Sequence, residues 1–261
     1  MSSATCIYYY ADQAGNVLAD NLRCCMDIFV PQELRPASPA GAPAFVWFHG
    51  GGFTVGDKNA GPVFVKMVND LGFACVLPGY RLHPEVSHPH YFDDGAQALA
   101  WLQQHGQEHG IDTKRIFVGG ISAGAYLVLM LVMNARLLAN VGGDAHALQG
   151  AFILSGQMTT HFKIRDEKGF GPHAVVSDEH SPMFHTRPDA PPIALLVADN
   201  DIPNRLEENA LFAAALRNSG HKNVSFQIVT ERDHATINER FTQPADPVQL
   251  ALAQFLEKHL R

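Results

Sequence analysis

The sequence has little positive charge with which to bind nucleic acid and no hydrophobic run long enough to cross a membrane. Its 19 Lys and Arg are outnumbered by 26 Asp and Glu, and no more than two basic residues stand side by side. Because a nucleic-acid-binding surface concentrates positive charge, we expect no nucleic-acid partner. The longest apolar stretch begins at Ala123 and falls far short of the roughly 20 residues of a membrane-spanning helix. We therefore also expect no membrane association.

Cysteine is also scarce, and the four cysteines lack the spacing of a metal site. Cys24 and Cys25 are adjacent, so in a strand their side chains would point to opposite faces, which suits packing better than bridging. The first residues lack the basic and apolar regions of a secretory signal. We therefore predict a cytoplasmic protein without a metal ion and with four reduced, buried thiols, those of Cys6, Cys24, Cys25 and Cys75.

The rest of the composition is that of a folded α/β domain. The chain has 261 residues, of which 46% are hydrophobic and 17% charged, so it can bury a large core. Eight short β-branched or aromatic runs alternate with five helical patterns, which indicates a mostly parallel sheet with helices on both faces. No linker, repeat or block of charge divides the sequence, and we expect residues 1–261 to form a single domain.

Three further stretches are informative. Residues 31–43 are rich in Pro and Ala and are predicted to form a loop between strands. Residues 157–192 are rich in Gly, Pro and His, and an irregular segment of that length in a compact domain is usually a functional lid or binding loop. The helical pattern Pro247–His259 carries an apolar stripe, which either packs into the core, the more frequent case, or forms the face of a homodimer.

The strongest chemical signal is the G-x-S-x-G element of residues 120–124. It follows an apolar strand pattern and precedes the helical pattern Ala123–Ala139. Such an element makes a sharp turn from strand to helix that exposes a serine oxygen, and only small flanking residues fit beside it. The context therefore predicts that Ser122 is a nucleophile rather than an incidental serine in a glycine-rich turn.

A second signal is the HGGGF run of residues 49–53, directly after another apolar strand pattern. Consecutive glycines let backbone N–H groups turn toward one point without interference from side chains. An oxyanion hole is built in this way, with donors about 2.7–3.1 Å from the developing negative oxygen. The run by itself is also compatible with a simple tight loop, but its occurrence before the serine element favours the oxyanion hole.

Together with the YRLHPE segment of residues 80–85 and a later Asp and His, these motifs resemble the α/β-hydrolase fold. More narrowly, residues 24–258 resemble the hormone-sensitive-lipase-like esterases and the related feruloyl-esterase-like and kynurenine-formamidase-like hydrolases. The resemblance implies a mostly parallel eight-stranded sheet with helices on both faces. The sequence departs from the family in one respect. Hormone-sensitive-lipase-like esterases usually carry a helical cap before the first core strands, but here the HGGG motif begins at His49 and leaves no room for it. We therefore expect a short lid and no large N-terminal cap.

The family order of catalytic residues is serine, acid, then histidine. His234 follows a late strand pattern and is the expected base. The resemblance favours Asp201 as the acid, because it lies three residues after the small Ala198, with Asp199 as the competing candidate. Asp233 is a poor candidate, because the family places the acid on a separate loop from the histidine.

The resemblance also implies the donors of the oxyanion hole. The backbone N–H groups of Gly51, Gly52 and Ala123 would form the oxyanion hole. The expected substrate-binding residues are four phenylalanines in the glycine loop and the 157–192 segment, namely Phe53, Phe162, Phe170 and Phe184.

These residues predict a serine hydrolase that cleaves small to medium carboxylic esters through an acyl-enzyme on Ser122, without a cofactor. An arylformamidase or amidase is the first alternative, because the same triad attacks amides. A non-catalytic binding protein of the same fold is the second, since fold alone does not fix function. The presence of serine, acid, histidine and glycine loop argues against this second alternative.

Overall fold

The computed structural model describes residues 2–10, 22–32, 40–171 and 174–260. Residues 33–39 of the predicted loop 31–43 therefore lie outside the described residues. The strands are β1 (Ser2–Tyr8), β2 (Cys25–Val30), β3 (Ala42–Phe48), β4 (Ala74–Pro78), β5 (Ile111–Ile121), β6 (Leu148–Leu154), β7 (Ile193–Asn200) and β8 (Val224–Asp233). The α-helices are α1 (Gly61–Asp70), α2 (His90–His105), α3 (Ala123–Met133), α4 (Ala135–Ala139), α5 (Phe162–Glu167), α6 (Arg205–Asn218), α7 (Thr236–Glu239) and α8 (Pro247–His259). Short 3₁₀ helices cover Gly106–His109, Ala145–Ala147 and Pro182–His185.

The eight strands form one sheet in the order β1-β2-β4-β3-β5-β6-β7-β8. Strands β3 to β8 run parallel to one another, while β2 pairs antiparallel with both β1 and β4. The predicted eight-stranded, mostly parallel sheet is therefore confirmed. A sheet covered on both faces needs strands that are apolar throughout, and β3 is buried at each of its seven residues.

Each face of the sheet packs against its own hydrophobic cluster. The period of two along β3 sends Val46 and Phe48 into one cluster, which contains α2 and α3, and Phe45 and Trp47 into the other. Helix α8 contributes its apolar stripe to this second cluster. The residues it buries there are Val248, Leu252, Phe255 and Leu256. The stripe of α8 is thus part of the core rather than a dimer face.

The helices differ from the sequence pattern in two places. The predicted helix Ala123–Ala139 is interrupted at Asn134, whose φ of −95° and ψ of 83° are not helical, so it forms α3 and α4. The 157–192 segment, predicted to be irregular, contains α5 and a 3₁₀ helix. In the described part of the chain, no helix combines the length and the apolar character needed to cross a membrane.

The prediction of four reduced thiols is wrong for two of them. Cys6 and Cys25 lie on the antiparallel neighbours β1 and β2, with their Cα atoms 5.0 Å apart, and form a disulfide. Cys24 and Cys75 are buried free thiols, as expected. The bridge depends on the register in which these two strands pair, which the spacing of cysteines along the chain does not reveal.

Candidate active site

Ser122 lies at a sharp turn between the end of β5 and the start of α3. Its φ of 55° and ψ of −115° lie outside the usual regions for a non-glycine residue. The flanking glycines make the turn possible. A Cβ atom on Gly120 would lie 2.6 Å from the carbonyl carbon of Gly124, and one on Gly124 would lie 2.2 Å from the carbonyl oxygen of Phe48. The local sequence therefore forces the serine side chain out of the strand-to-helix turn.

His234 connects Ser122 to Asp201. Its Nε2 atom lies 2.9 Å from Ser122 Oγ, and its Nδ1 atom lies 2.6 Å from Asp201 Oδ1. Asp201 follows β7 and His234 follows β8, and the carboxyl ends of neighbouring parallel strands meet at one edge of the sheet. The structure thus brings the three predicted residues into one hydrogen-bonded line, in which the imidazole can take a proton from the serine hydroxyl.

The Asp201 carboxylate is held by groups besides the histidine. Its side chain is 1% exposed, the Ser155 hydroxyl donates to Oδ2 at 2.6 Å, and the Ile202 N–H donates to Oδ1 at 2.8 Å. Burial on its own would raise the pKa of Asp201, but the hydrogen bonds with His234 and Ser155 lower this pKa below its usual value. Ser155 is a site residue that the sequence analysis missed, since no motif surrounds it.

Asp199, the competing acid, points to a different set of groups. Its carboxylate accepts hydrogen bonds from the backbone N–H groups of Glu231 and Arg232, both at 3.0 Å, and these bonds lower its pKa. Asp233 is likewise engaged locally, by the N–H and hydroxyl of Thr236. Neither carboxylate contacts the imidazole of His234 in the way that Asp201 does.

The glycine loop, residues 49–53, lies against the turn that carries Ser122. A Cβ atom on Gly50 would be 3.3 Å from Ser122 Cβ. Gly51 and Gly52 have φ angles of 113° and 62°, and the Gly51 carbonyl accepts the N–H groups of Thr54 and Val55 at 3.0 Å each. This turn is one that glycine adopts without strain. Gly51, Gly52 and Ser122 line the same cavity, while Ala123 is the first residue of α3.

A cavity of about 860 Å³ opens above Ser122 and His234. Of the four phenylalanines predicted to bind substrate, Phe162 lines this cavity, and its ring lies over Gly52. Phe53 does not, because its ring is fully buried and stacks on Tyr91 with centroids 4.5 Å apart. Phe170 is exposed outside the lining of this cavity, and Phe184 lines another cavity beside His88 and His180.

The cavity is also lined by three aromatic residues that the sequence analysis did not select. Trp47, Phe64 and Phe241 pack together there, with ring centroids 5.4–5.6 Å apart. Trp47 could have been found, because it lies near the end of β3, two residues before His49. Phe64 lies on α1 and Phe241 lies two residues after α7, so their position at the cavity follows only from tertiary packing.

A family model described as alpha/beta hydrolase fold matches residues 45–184, more than half of the chain. Among curated proteins, Esterase LipQ of Mycobacterium tuberculosis is 26% identical over 231 residues, which cover 80% of this chain and 53% of that protein. The carboxylic ester hydrolase LipN of the same organism is 29% identical over 159 residues, which cover 60% of this chain and 42% of that protein. The chain thus spans about half the length of these relatives or less.

Two solved structures share the fold at low sequence identity. A truncated carbohydrate esterase from gut microbiota superposes with a TM-score of 0.78 at 16% identity, covering 99% of this chain and 96% of that one. Esterase 2 of Thermogutta terrifontis, phosphoramylated by tabun, superposes with a TM-score of 0.74 at 20% identity, covering 97% of this chain and 92% of that one.

Proposed function

The chain belongs to the alpha/beta hydrolase fold family, and from this premise we propose that it is a serine carboxylesterase acting on small to medium esters. The observation that carries the proposal is the hydrogen-bonded line from Ser122 through His234 to Asp201. The names of the relatives LipQ and LipN, an esterase and a carboxylic ester hydrolase, favour esters over amides as the substrates.

In the proposed reaction, Ser122 Oγ attacks the ester carbonyl carbon while His234 Nε2 takes the hydroxyl proton. The tetrahedral intermediate collapses when the imidazolium returns this proton to the leaving alcohol, and an acyl-enzyme on Ser122 remains. Water then attacks the acyl group with the same histidine as base, and Ser122 is regenerated. Asp201 accepts the hydrogen bond from Nδ1, fixes the tautomer of His234 and stabilises the imidazolium.

The backbone N–H groups of Gly51, Gly52 and Ala123 are the proposed donors to the oxyanion. The positive φ angles of the two glycines and the position of Ala123 at the start of α3 support this assignment. Such donors stabilise charge that develops in the transition state, and each is worth about a hundredfold or more in kcat.

The 157–192 segment is the proposed lid, with Phe162 as its contact with the substrate, and residues 1–261 are proposed to act as one domain. No cofactor takes part in the proposed chemistry. The Cys6–Cys25 disulfide is more typical of oxidising compartments than of the cytoplasm. The cytoplasmic location accordingly stays a prediction.

The test is hydrolysis of 4-nitrophenyl esters from acetyl to dodecanoyl by the wild type and by Ser122→Ala. We expect activity on the shorter esters that falls by about a thousandfold or more in Ser122→Ala, with Ser219→Ala as a matched control that retains it. An N-formyl aromatic amine assayed in parallel separates the formamidase alternative. Ester hydrolysis that survives in Ser122→Ala would contradict the mechanism.

A further inference from the structure

Arg205 is a buried cation that forms no ion pair with any of the described residues. It is the first residue of α6, four residues after Asp201, and it is 3% exposed. Its Nη1 atom donates to the carbonyl oxygen of Ser155 at 2.9 Å, but no carboxylate of the described residues lies within 4.0 Å of its guanidinium nitrogens. Burying a charge without a partner costs desolvation free energy, so a buried unpaired charge usually has a structural or functional role.

The Arg205 side chain lines a cavity of about 300 Å³. A second arginine, Arg165 of α5, lines the same cavity and also lacks a carboxylate within ion-pair distance among the described residues. Its guanidinium donates to the carbonyl oxygen of Ala174. We call this space the arginine cavity, and its walls include Gln157, Phe162, Arg165, Ile202, Arg205 and Glu208.

The lining of the arginine cavity carries a surplus of positive charge. Two guanidinium groups face one carboxylate, that of Glu208. This carboxylate already accepts the N–H groups of Met158 and Thr159 at 2.9 and 3.2 Å, and the Thr159 hydroxyl at 2.8 Å. The N-terminus of α6, where Arg205 lies, adds the positive end of a helix dipole.

The positive charge of Arg165 also acts against that of Arg205. Burial lowers the pKa of Arg205. The negative charges of Asp201 and Glu208 raise this pKa, and the positive charge of Arg165 lowers it. Guanidinium groups stay charged in proteins, so this repulsion persists when the cavity contains only water. An anion between the two side chains would relieve it.

The arginine cavity adjoins the cavity above Ser122. Phe162 and Ile202 line both of them, and Ile202 directly follows Asp201. One arm of a substrate whose carbonyl lies at Ser122 can therefore extend past Phe162 and Ile202 toward the two guanidinium groups.

We propose that the arginine cavity is an anion subsite that binds a carboxylate on one arm of the ester substrate. The preferred substrates are then half-esters of dicarboxylic acids or esters of carboxylate-bearing alcohols and phenols. Arginine suits this task, because its planar guanidinium pairs with both oxygens of a carboxylate. The inference rests on the proposed esterase function and adds the substrate class.

The test compares charged and neutral esters of matched shape. For the acyl arm, the pair is the 4-nitrophenyl half-ester of adipic acid and its methyl-capped form; for the alcohol arm, it is 4-acetoxybenzoate and its methyl ester. In one of the two pairs, we expect the wild type to have a kcat/KM about tenfold higher or more for the charged member. Raising the salt concentration should reduce this preference.

Arg165→Gln carries the test, because Arg165 is only partly buried and the variant is expected to fold even if Arg205→Gln does not. It should lower kcat/KM for the charged ester about tenfold and change that for the neutral ester by less than about twofold. The matched control is Arg217→Gln, which removes an exposed arginine from the other end of α6 and should change neither ester. A wild type without a charge preference in either pair would overturn the subsite, as would an equal loss on both esters in Arg165→Gln.

Binding to Ser122→Ala separates failure of the subsite from failure of the esterase function. In calorimetric titrations, we expect this variant to bind the charged ester more tightly than the neutral one, and we expect Arg165→Gln in the same background to remove the difference. That result supports the subsite even if the wild type cleaves no ester. Equal binding of both esters to Ser122→Ala would overturn the subsite even if the wild type is an active esterase.

Discussion

The Ser155 hydroxyl donates a 2.6 Å hydrogen bond to Oδ2 of Asp201, the carboxylate whose other oxygen lies 2.6 Å from His234 Nδ1. Ser155 is fully buried directly after β6, and its carbonyl oxygen accepts a hydrogen bond from the guanidinium group of Arg205. The acid of the proposed triad is thus fixed from the neighbouring strand as well as by the histidine. Ser155 acts through Asp201 and is a positioning residue.

Replacing Ser155 with alanine should raise the pKa of Asp201, because one of the hydrogen bonds that stabilise the carboxylate is lost. The lowered pKa of Asp201 in the folded protein means that its ionisation stabilises the fold above the unfolded value of about 3.9, and that this stabilisation is lost as the pH falls through the folded value. In Ser155→Ala, the carboxylate protonates at a higher pH. We expect the acid limb of the profile of unfolding free energy against pH to move to higher pH, and the free energy of unfolding at neutral pH to fall by about 1 kcal/mol.

Ser177→Ala, which removes an exposed hydroxyl from the 157–192 segment, is the control for this pH profile and should leave it unchanged. A Ser155→Ala profile that superposes on that of the wild type would show that Ser155 does not position the acid.

Asp199 and Asp201 can be separated by parallel amide substitutions. Asp201→Asn removes the charge that stabilises the imidazolium and should lower kcat by about 10⁴-fold. Asp199→Asn replaces a carboxylate that accepts two backbone N–H groups from β8, and kcat should stay within about threefold of the wild type. Steady-state kinetics on one short 4-nitrophenyl ester measures both. If Asp199→Asn lowered kcat more than Asp201→Asn did, the assignment of the acid would be reversed.

The sequence predicts the nucleophile and the base of the site better than it predicts the acid. The serine turn is a local feature, because the glycines around Ser122 permit no other path between strand and helix. His234 follows from chain order after the last strand. The choice of acid depends on the end of β7, where pairing with β8 becomes irregular between Ala198 and Asn200 and decides which side chain faces the histidine. Only the resemblance to a family favoured Asp201.

The remaining site residues depend on contacts between distant parts of the chain. Phe53 is the last residue of the glycine loop and was expected in the pocket, but it has a φ of 61° and its ring packs on Tyr91 in the core. Ser155 and Arg205 come together only because β6 lies beside β7 and α6 follows β7. No local pattern in the sequence encodes these pairs, whereas the eight strands could be predicted from their apolar runs.

The disulfide makes a prediction about stability. Cys6 and Cys25 are 19 positions apart in the sequence. Closing a loop of this size lowers the conformational entropy of the unfolded chain and so raises its free energy by about 3 kcal/mol. We expect dithiothreitol to lower the free energy of unfolding by this amount in urea titrations. Cys6→Ser should be as stable as the reduced wild type and insensitive to the reductant. Equal urea midpoints for the wild type with and without reductant would contradict the bridge.

Phe162 should control the size of acyl or alcohol group that the site accepts. Its side chain is 44% exposed, it lines the cavity above Ser122, and the ring lies over Gly52. Phe162→Ala removes this wall and joins the Ser122 cavity more widely to the arginine cavity. A few methylene groups fitting or clashing in a pocket change specificity by about tenfold or more, so the ratio of kcat/KM for octanoyl to that for butyryl 4-nitrophenyl esters should rise by about this factor.

Phe184→Ala is the matched control, because Phe184 lies in the same segment, is 61% exposed and lines another cavity. If both variants shift the ratio equally, the segment affects specificity through its overall conformation; if neither does, Phe162 is not a wall of the binding site. A shift confined to Phe162→Ala assigns chain-length selection to the contact between this ring and the glycine loop.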